Sequence, residues 1–509
     1  MMQNHSQDNG NAMRGLGQKA DVCLILEGTY PYVTGGVSGW AHGLIREQSH
    51  LTFHLCAIVP RDAALDLKYT LPSNVIGLTT IRLNDLPPGS TVGTPLARKI
   101  HRVLREPLAT LTSDRVMELD DIKRIMEVLQ SVGAPLGSSA LLDHEEAWKQ
   151  LIGLYEAAFP DHSFLDYFWS YRAIAGGLYS MLLAPLPQAD IYHAMSTGYA
   201  GLLAARAKVE TKKPVFVTEH GIYTNERRIE VISANWLEAT ASKALTIDKP
   251  RRDLRDLWID SINNFSRLCY QASDRVITLF SGNQLPQIED GADPAKMQII
   301  PNGVDIKRFA ALAHPRQPTP VIALVGRVVP IKDVKTFIRA VGLLRQYAPD
   351  IKAYVIGPTD EDAEYYEECV SLVQLLGLDQ NVEFTGQVRV DEYLPAIDIL
   401  VLTSISEAQP LVILEAGAAG IPIVATDVGA CREIVEGVAG EEPKLGLGGI
   451  VTPLASPAST AEAIFTLLSD AALYTSASEA IATRTAQYYN ETIQQQAYRN
   501  LYAQYLRRA

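Results

Sequence analysis

A chain of 509 residues with 47% hydrophobic content exceeds one ordinary core and fits two α/β domains of more than about 200 residues each. Lys and Arg number 45 against 58 Asp and Glu, a formal charge of −13, which disfavours nucleic acid or anionic lipid as a main partner and makes any phosphate recognition local. No apolar run reaches the roughly 18 residues that span a bilayer, and five scattered cysteines without a CxxC pair argue against a disulfide framework or structural zinc and for a reducing cytoplasm.

In chain order, residues 1–19 are polar and Gly/Asn-rich and read as a disordered leader, without the apolar core of a signal peptide. "DVCLILEG" (21–28) reads as a first strand, and "EGTYPYVTGGVSGWAHGLI" follows it. There Gly35 and Gly36 let backbone amides approach a ligand at the start of a helix, although a lone Gly-Gly is usually only a turn. Further strand-like runs are "FHLCAIVP" (53–60), "ADIYHAMS" (189–196), "KPVFVTEHG" (213–221) and "DRVITLF" (274–280). Between about 85 and 185 the apolar residues fall at helical spacing, which predicts a helical insertion, and a second helical tract covers 225–272. Glu219 and His220 fall at one strand end and His193 at another; a single histidine in such a place is more often structural.

"IIPNGVD" (299–305) is given no chemistry, and "AHPRQPTP" (313–320) marks a joint. Beyond it come "VIALVGR" (321–327), "KAYVIGP" (352–358), "VEFTGQV" (382–388), "DILVLTS" (398–404), "IPIVATD" (421–427) and "GGIVTP" (448–453). Strands apolar on both faces that alternate with helices predict a doubly wound parallel sheet, and two such series predict two α/β domains. "VGRVVPIKD" places Arg327 just past a strand and Lys332 before a helix, a cationic pair suited to a diphosphate. Asp360, Glu361 and Asp362 match a metal-binding D-x-D pattern but read as a solvated loop opening an acidic helix.

"SISEAQPLVILEAGAAGIPIVA" (404–425) carries Glu407 and Glu415 in otherwise apolar or small surroundings. Glu407 falls in the loop at a strand's carboxyl end, Pro410 suits a first helical position, and Glu415 lies in the helix, which Gly420 and Pro422 stop. An ionised glutamate there costs several kcal/mol unless something donates hydrogen bonds, and ligand hydroxyls can.

The acid, seven residues, acid pattern followed by "AGAAGIPIVAT" resembles the retaining glycosyltransferases of the GT4 family, and "GRVVPIKDVKTFIRA", "VEFTGQV" and "GGIVTP" stand in that family's order. The resemblance implies a GT-B fold of two Rossmann-like domains facing a cleft. It also implies Glu415 on the ribose hydroxyls, Glu407 near the donor sugar, and Arg327 and Lys332 on the pyrophosphate. Gly386, Pro410 and Leu411 fall to the donor site, Gly35 and Gly36 to a loop at the donor phosphate, and His220 to the donor sugar; His220 and Glu407 are then the catalytic candidates. Ala408-Gln409-Pro410 stands here where the family has Gly-Phe-Gly. The expected geometry is convergence of both acids and both cations on one pocket.

Over most of 20–509 the chain is similar to the PelF type of Pel exopolysaccharide production. That similarity implies a cytoplasmic enzyme that uses a UDP-sugar, needs no metal or cofactor, acts on a polysaccharide acceptor and works beside an inner-membrane synthesis and export complex. A UDP-sugar 2-epimerase and a non-catalytic UDP-binding component are the alternatives. The implied domains are 20–315 for the acceptor and 316–485 for the donor, with a C-terminal helix, 486–509, packing back on the first.

Overall fold

The computed structural model describes residues 13–14, 17–233, 252–312, 319–438 and 440–507. The chain divides into two compact units: residues up to Thr278, Gln284–Gln298 and Arg499 onward form the first, and Leu279–Asn283 with Ile299–Tyr498 form the second.

The first unit is built on strands β1 (Met13–Arg14), β2 (Ala20–Glu27), β3 (Phe53–Val59), β4 (Val75–Arg82), β5 (Ala189–Ala194), β6 (Val215–Glu219), β7 (Arg275–Thr278) and β8 (Met297–Ile299), in sheet order β1-β4-β3-β2-β5-β6-β7-β8. From β4 to β7 every pairing is parallel. Every residue of β3 is buried, which is what a strand covered on both faces requires of its sequence. Helices α1 (Gly36–Glu47), α2 (Thr94–Leu111), α3 (Leu119–Gln130), α4 (Ser138–Leu141), α5 (Glu145–Ala158), α6 (Phe164–Leu183), α7 (Tyr199–Thr211), α8 (Tyr223–Ser233), α9 (Leu254–Ala272) and α10 (Gln284–Glu289) connect them. Helices α2 to α6 are the predicted insertion, and their apolar faces join the main core through Ile100, Leu104, Ile122, Ile125, Leu151 and Leu178. Helix α7 lies close on α9 because Gly201 has no Cβ: one built there would stand 2.6 Å from Cys269 Cβ.

β4 and β8 lie outside the strands read from the sequence. Burial in β4 alternates, with Thr79 buried and Thr80 only half-buried, so it lacks the unbroken apolar run of its neighbours. Residues 1–12 and 15–16 of the expected leader lie outside the described residues, and Met13–Arg14 is not leader but pairs antiparallel with β4. Part of the 225–272 tract, 234–251, also lies outside them.

The second unit has β9 (Val321–Val325), β10 (Lys352–Ile356), β11 (Val382–Gly386), β12 (Ile399–Leu402), β13 (Ile423–Thr426) and β14 (Gly449–Thr452), all parallel, in order β11-β10-β9-β12-β13-β14. Its helices are α11 (Ile306–Ala310), α12 (Val334–Leu344), α13 (Ala363–Leu375), α14 (Leu411–Ala418), α15 (Cys431–Glu436), α16 (Pro457–Ser469), α17 (Ala471–Tyr488) and α18 (Glu491–Leu506). This is the doubly wound order in which the first strand lies beside the fourth, so the crevice falls between the loops after β9 and β12. Within the first unit the same relation holds between β2 and β5. The change of unit falls at 298/299 rather than near 315, because residues 300–305 are held by the second unit: Val304 N donates to Tyr489 O at 2.8 Å and Glu491 N to Val304 O at 3.0 Å. At the other end the first unit resumes at Arg499, inside α18 and not at 486.

Candidate active site

In the second unit the loop after β9 carries Gly326, Arg327 and a single 3-10 turn, Pro330–Lys332. Asp333 then caps α12 in a left-handed conformation, φ 43°, its carboxylate accepting from Thr336 N. Lys332 is thereby set at the amino-terminal end of an 11-residue helix, where the free N–H groups and helix dipole favour anions. The loop after β12 is stitched to it. Thr403 Oγ1 donates to the carbonyls of Lys332 and Asp333 at 3.1 and 2.9 Å, and Ile405 N donates to Ile331 O at 2.8 Å.

These ties bring Lys332 Nζ to 2.5 Å from Glu407 Oε1, which also accepts from Ser404 Oγ at 2.6 Å. Lys332 and Glu407 are 20% and 13% exposed, shielded enough for the pair to matter and still reached by solvent. Thr426 Oγ1 fixes the Ser404 carbonyl at 2.6 Å. Gly429, at φ 52°, lies under the same loop: a Cβ there would stand 2.3 and 2.2 Å from the carbonyl oxygens of Glu407 and Ala408. Gln409 is buried, and its Oε1 accepts from Asn302 N at 2.6 Å, so the turn that the sequence left without chemistry anchors the acidic loop.

Pro410 is the N-cap of α14 rather than its first residue; Leu411 takes that position, because Pro410 has the extended ψ of 118°. Glu415, on α14, is half-buried, and among the described residues none donates a hydrogen bond to its carboxylate. Burial raises its pKa, the Arg308 guanidinium nearby opposes the rise, and Asp391 adds to it. Arg308 Nε donates to Asp391 Oδ2 at 3.1 Å, and this bond, the largest cause, raises the arginine's pKa against desolvation. Arg327, 52% exposed, pairs with Glu361, and Asp362 caps α13 by accepting from Tyr365 N, so two of the three acids of the D-x-D loop have local partners. Of the four groups expected to converge, Lys332 and Glu407 are in contact, whereas Arg327 and Glu415 face Glu361 and the Arg308–Asp391 pair. Gly386 ends β11 at φ 67° with open space where a Cβ would stand, and its carbonyl accepts from Gly357 N at 3.1 Å.

In the first unit Gly35 is the N-cap of α1, and neither it nor Gly36 has anything within 4 Å of a built Cβ. Trp40, on the same helix, meets the His220 ring edge-on at 4.8 Å. Both His220 nitrogens are buried without a hydrogen-bond partner among the described residues, and desolvation lowers its pKa to about 4. His193 differs: it lies in the core, Nδ1 2.7 Å from Tyr502 Oη and Nε2 2.8 Å from Thr218 Oγ1, a satisfied structural histidine with its pKa lowered to about 3. Glu219 points inward, accepting from Tyr270 Oη at 2.5 Å, Gln287 Nε2 at 2.7 Å and Thr197 Oγ1 at 3.3 Å, while burial pushes its pKa up to about 7. Thr403, Ser404, Gln409 and Arg308 were not found from the sequence, since each acts through a partner distant in the chain or through an unremarkable polar residue.

Residues 20–295, more than half of the chain, match the family described as a domain of unknown function, DUF3492. The chain belongs to the DUF3492 family. Residues 319–470 of this DUF3492 protein match the family of glycosyl transferases group 1, so the crevice loops after β9 and β12 both lie in a group 1 domain. A D-inositol 3-phosphate glycosyltransferase of Kineococcus radiotolerans is 32% identical over 236 residues, 43% of this chain and 54% of the relative. One from Salinispora tropica is 34% identical over 174 residues, 29% and 36% of the two chains. The DUF3492 chain thus spans about half or less of the length of these curated relatives. Among solved structures, Anabaena Alr3699/HepE in complex with UDP is similar with a TM-score of 0.55 at 16% identity, covering 94% of this chain and 99% of that one. A glycosyltransferase from Rickettsia africae gives 0.57 at 13% identity, covering 96% and 100%. These likenesses are of fold, and the fold is GT-B.

Proposed function

We propose that this protein is a retaining, metal-independent glycosyltransferase of the GT4 type that transfers a sugar from a UDP-sugar to a growing exopolysaccharide of the Pel type, beside a membrane-embedded synthesis and export complex. The observation that carries the reading is the Lys332–Glu407 contact at the amino-terminal end of α12, in the crevice loops of a group 1 domain. A lysine ammonium has three N–H donors. One goes to Glu407, and two are available to the diphosphate oxygens, whose charge rises on the leaving group as the sugar bond breaks. The helix end and Arg327 supply further positive potential, which is the role a divalent metal fills elsewhere.

Glu415 is assigned to the ribose: two hydroxyls can donate to a carboxylate that no described side chain bonds. The UDP and UDP-glucose complexes of HepE support a uridine donor. Retention follows a front-face course in which the acceptor hydroxyl attacks the anomeric carbon as the phosphate oxygen departs and takes its proton. In the first unit Gly35, Gly36 and His220 are assigned to sugar binding. With its lowered pKa, His220 is neutral near pH 7 and offers one donor and one acceptor to hydroxyls.

Product analysis tests the reading. Incubation with UDP-glucose, UDP-N-acetylglucosamine or UDP-N-acetylgalactosamine and an oligosaccharide acceptor is expected to lengthen the acceptor by one sugar with the anomeric configuration kept. An epimerised donor formed without acceptor, or binding of UDP with no turnover of any donor, contradicts it.

A further inference from the structure

The helical insertion carries two surface features that the transferase reading leaves unused. Helix α2 presents Arg98, Arg102 and Arg105 at helical spacing along one groove about 470 Å³ in volume, with Lys149 of α5 on the opposite wall. The groove lining itself holds one carboxylate, Glu146, which sits 3.4 Å from Arg98 and 3.2 Å from Lys149, and Lys149 also pairs with Glu145 at 2.8 Å, so Arg102 and Arg105 carry the uncompensated charge. Arg102 and Arg105 are exposed and have no ion-pair partner among the described residues. In a chain of net charge −13 this is a local reversal of sign.

The second feature is apolar. Leu165 and Trp169 of α6 are 62% and 58% exposed, and Trp148 of α5 is 48% exposed, its ring 5.8 Å from Phe164 and 6.0 Å from Phe168. Helix α5 packs against α2 and against α6 and so joins the two features. Its consecutive exposed residues Trp148 and Lys149 belong to the aromatic edge and to the basic groove respectively. Half-exposed indoles on helices that adjoin a basic groove suit a headgroup boundary: the rings enter the interface while the cations meet anionic phosphates. No helix among the described residues is long and apolar enough to cross a membrane.

We infer that the outer surface of α2, α5 and α6 docks directly on an anionic phospholipid surface, with Arg98, Arg102, Arg105 and Lys149 on the headgroups and Trp148, Leu165 and Trp169 in the interface. The patch shares no residue with the candidate active site, and the inference stands whether or not the transferase reading does. It refines the expectation drawn from net charge, which describes the whole chain and not this patch.

Co-sedimentation of the full chain with vesicles tests it, using phosphatidylcholine alone and phosphatidylcholine with phosphatidylglycerol. Binding is expected only with phosphatidylglycerol, weaker at high salt. The Arg102→Glu/Arg105→Glu variant should reduce it on the order of tenfold or more, and Trp169→Ser several-fold. Both variants change exposed side chains, and an unaltered thermal melt shows that each is folded. Equal binding to both vesicle types, no binding to either, or binding unchanged in the folded variants overturns the inference. So does protection of the groove arginines from chemical modification by inorganic phosphate but not by vesicles, which would make it a free-anion site; a patch that binds a protein instead gives no vesicle binding.

Discussion

Glu407 gathers two donors, Lys332 Nζ and Ser404 Oγ, on a single oxygen. A hydrogen bond to a charged group is worth about 1.5–3 kcal/mol, and this one is already made in the unliganded fold, so Ser404→Ala is expected to cost up to about that much stability and, by loosening the Glu407 carboxylate, to lower kcat about tenfold, read by a melt and steady-state kinetics. Glu219 makes a different prediction. Its pKa in the folded chain, about 7, lies above the ordinary carboxylate value of 4.5, chiefly through burial, although its hydrogen bonds oppose the rise. The native state therefore holds a proton that the unfolded chain releases, and stability is lost as pH rises through that window. Relative to Glu219→Gln, the wild type should lose up to about 3 kcal/mol in urea unfolding between pH 5 and pH 8, and a constant difference contradicts the assignment. The sequence showed that acids and cations stood at the carboxyl ends of strands, because spacing from a strand end is a local property. It did not show that Glu219 turns inward or that Gln409 ties to Asn302, since those partners, Tyr270, Gln287 and Asn302, come from elsewhere in the chain.

The elements hold the site by backbone clearances and buried ion pairs. Gly429→Ala would drive a Cβ into the carbonyls of Glu407 and Ala408 at a left-handed φ, so a loss of about 1–3 kcal/mol and a lower kcat are expected together. Arg484 of α17 is buried, donating to Glu441 at 2.6 and 2.9 Å and to the carbonyls of Ile434, Val435 and Gly446. Arg484→Ala leaves the Glu441 carboxylate buried and unpaired and should cost about 3–5 kcal/mol by denaturant melt. The strands that flank both switch points were legible because they are covered on both faces and read as unbroken apolar runs. β4 was not legible, since Gly77, Thr79, Thr80 and Arg82 break its apolar run and only alternate residues are buried, nor was β1, a pair of residues whose strand character comes only from its partner.

At the scale of the molecule, two sheets of the same doubly wound order supply two crevices, and the chemistry assigned to each follows from which loops leave the carboxyl ends of the central strands. The loops after β9 and β12, with α14, are the proposed nucleotide site. Calorimetric titration of UDP into the wild type, Lys332→Ala and Glu415→Ala tests it most directly. Binding is expected to weaken about tenfold or more in each variant, with the folded state intact by melt. UDP affinity equal to wild type in both variants contradicts the claim.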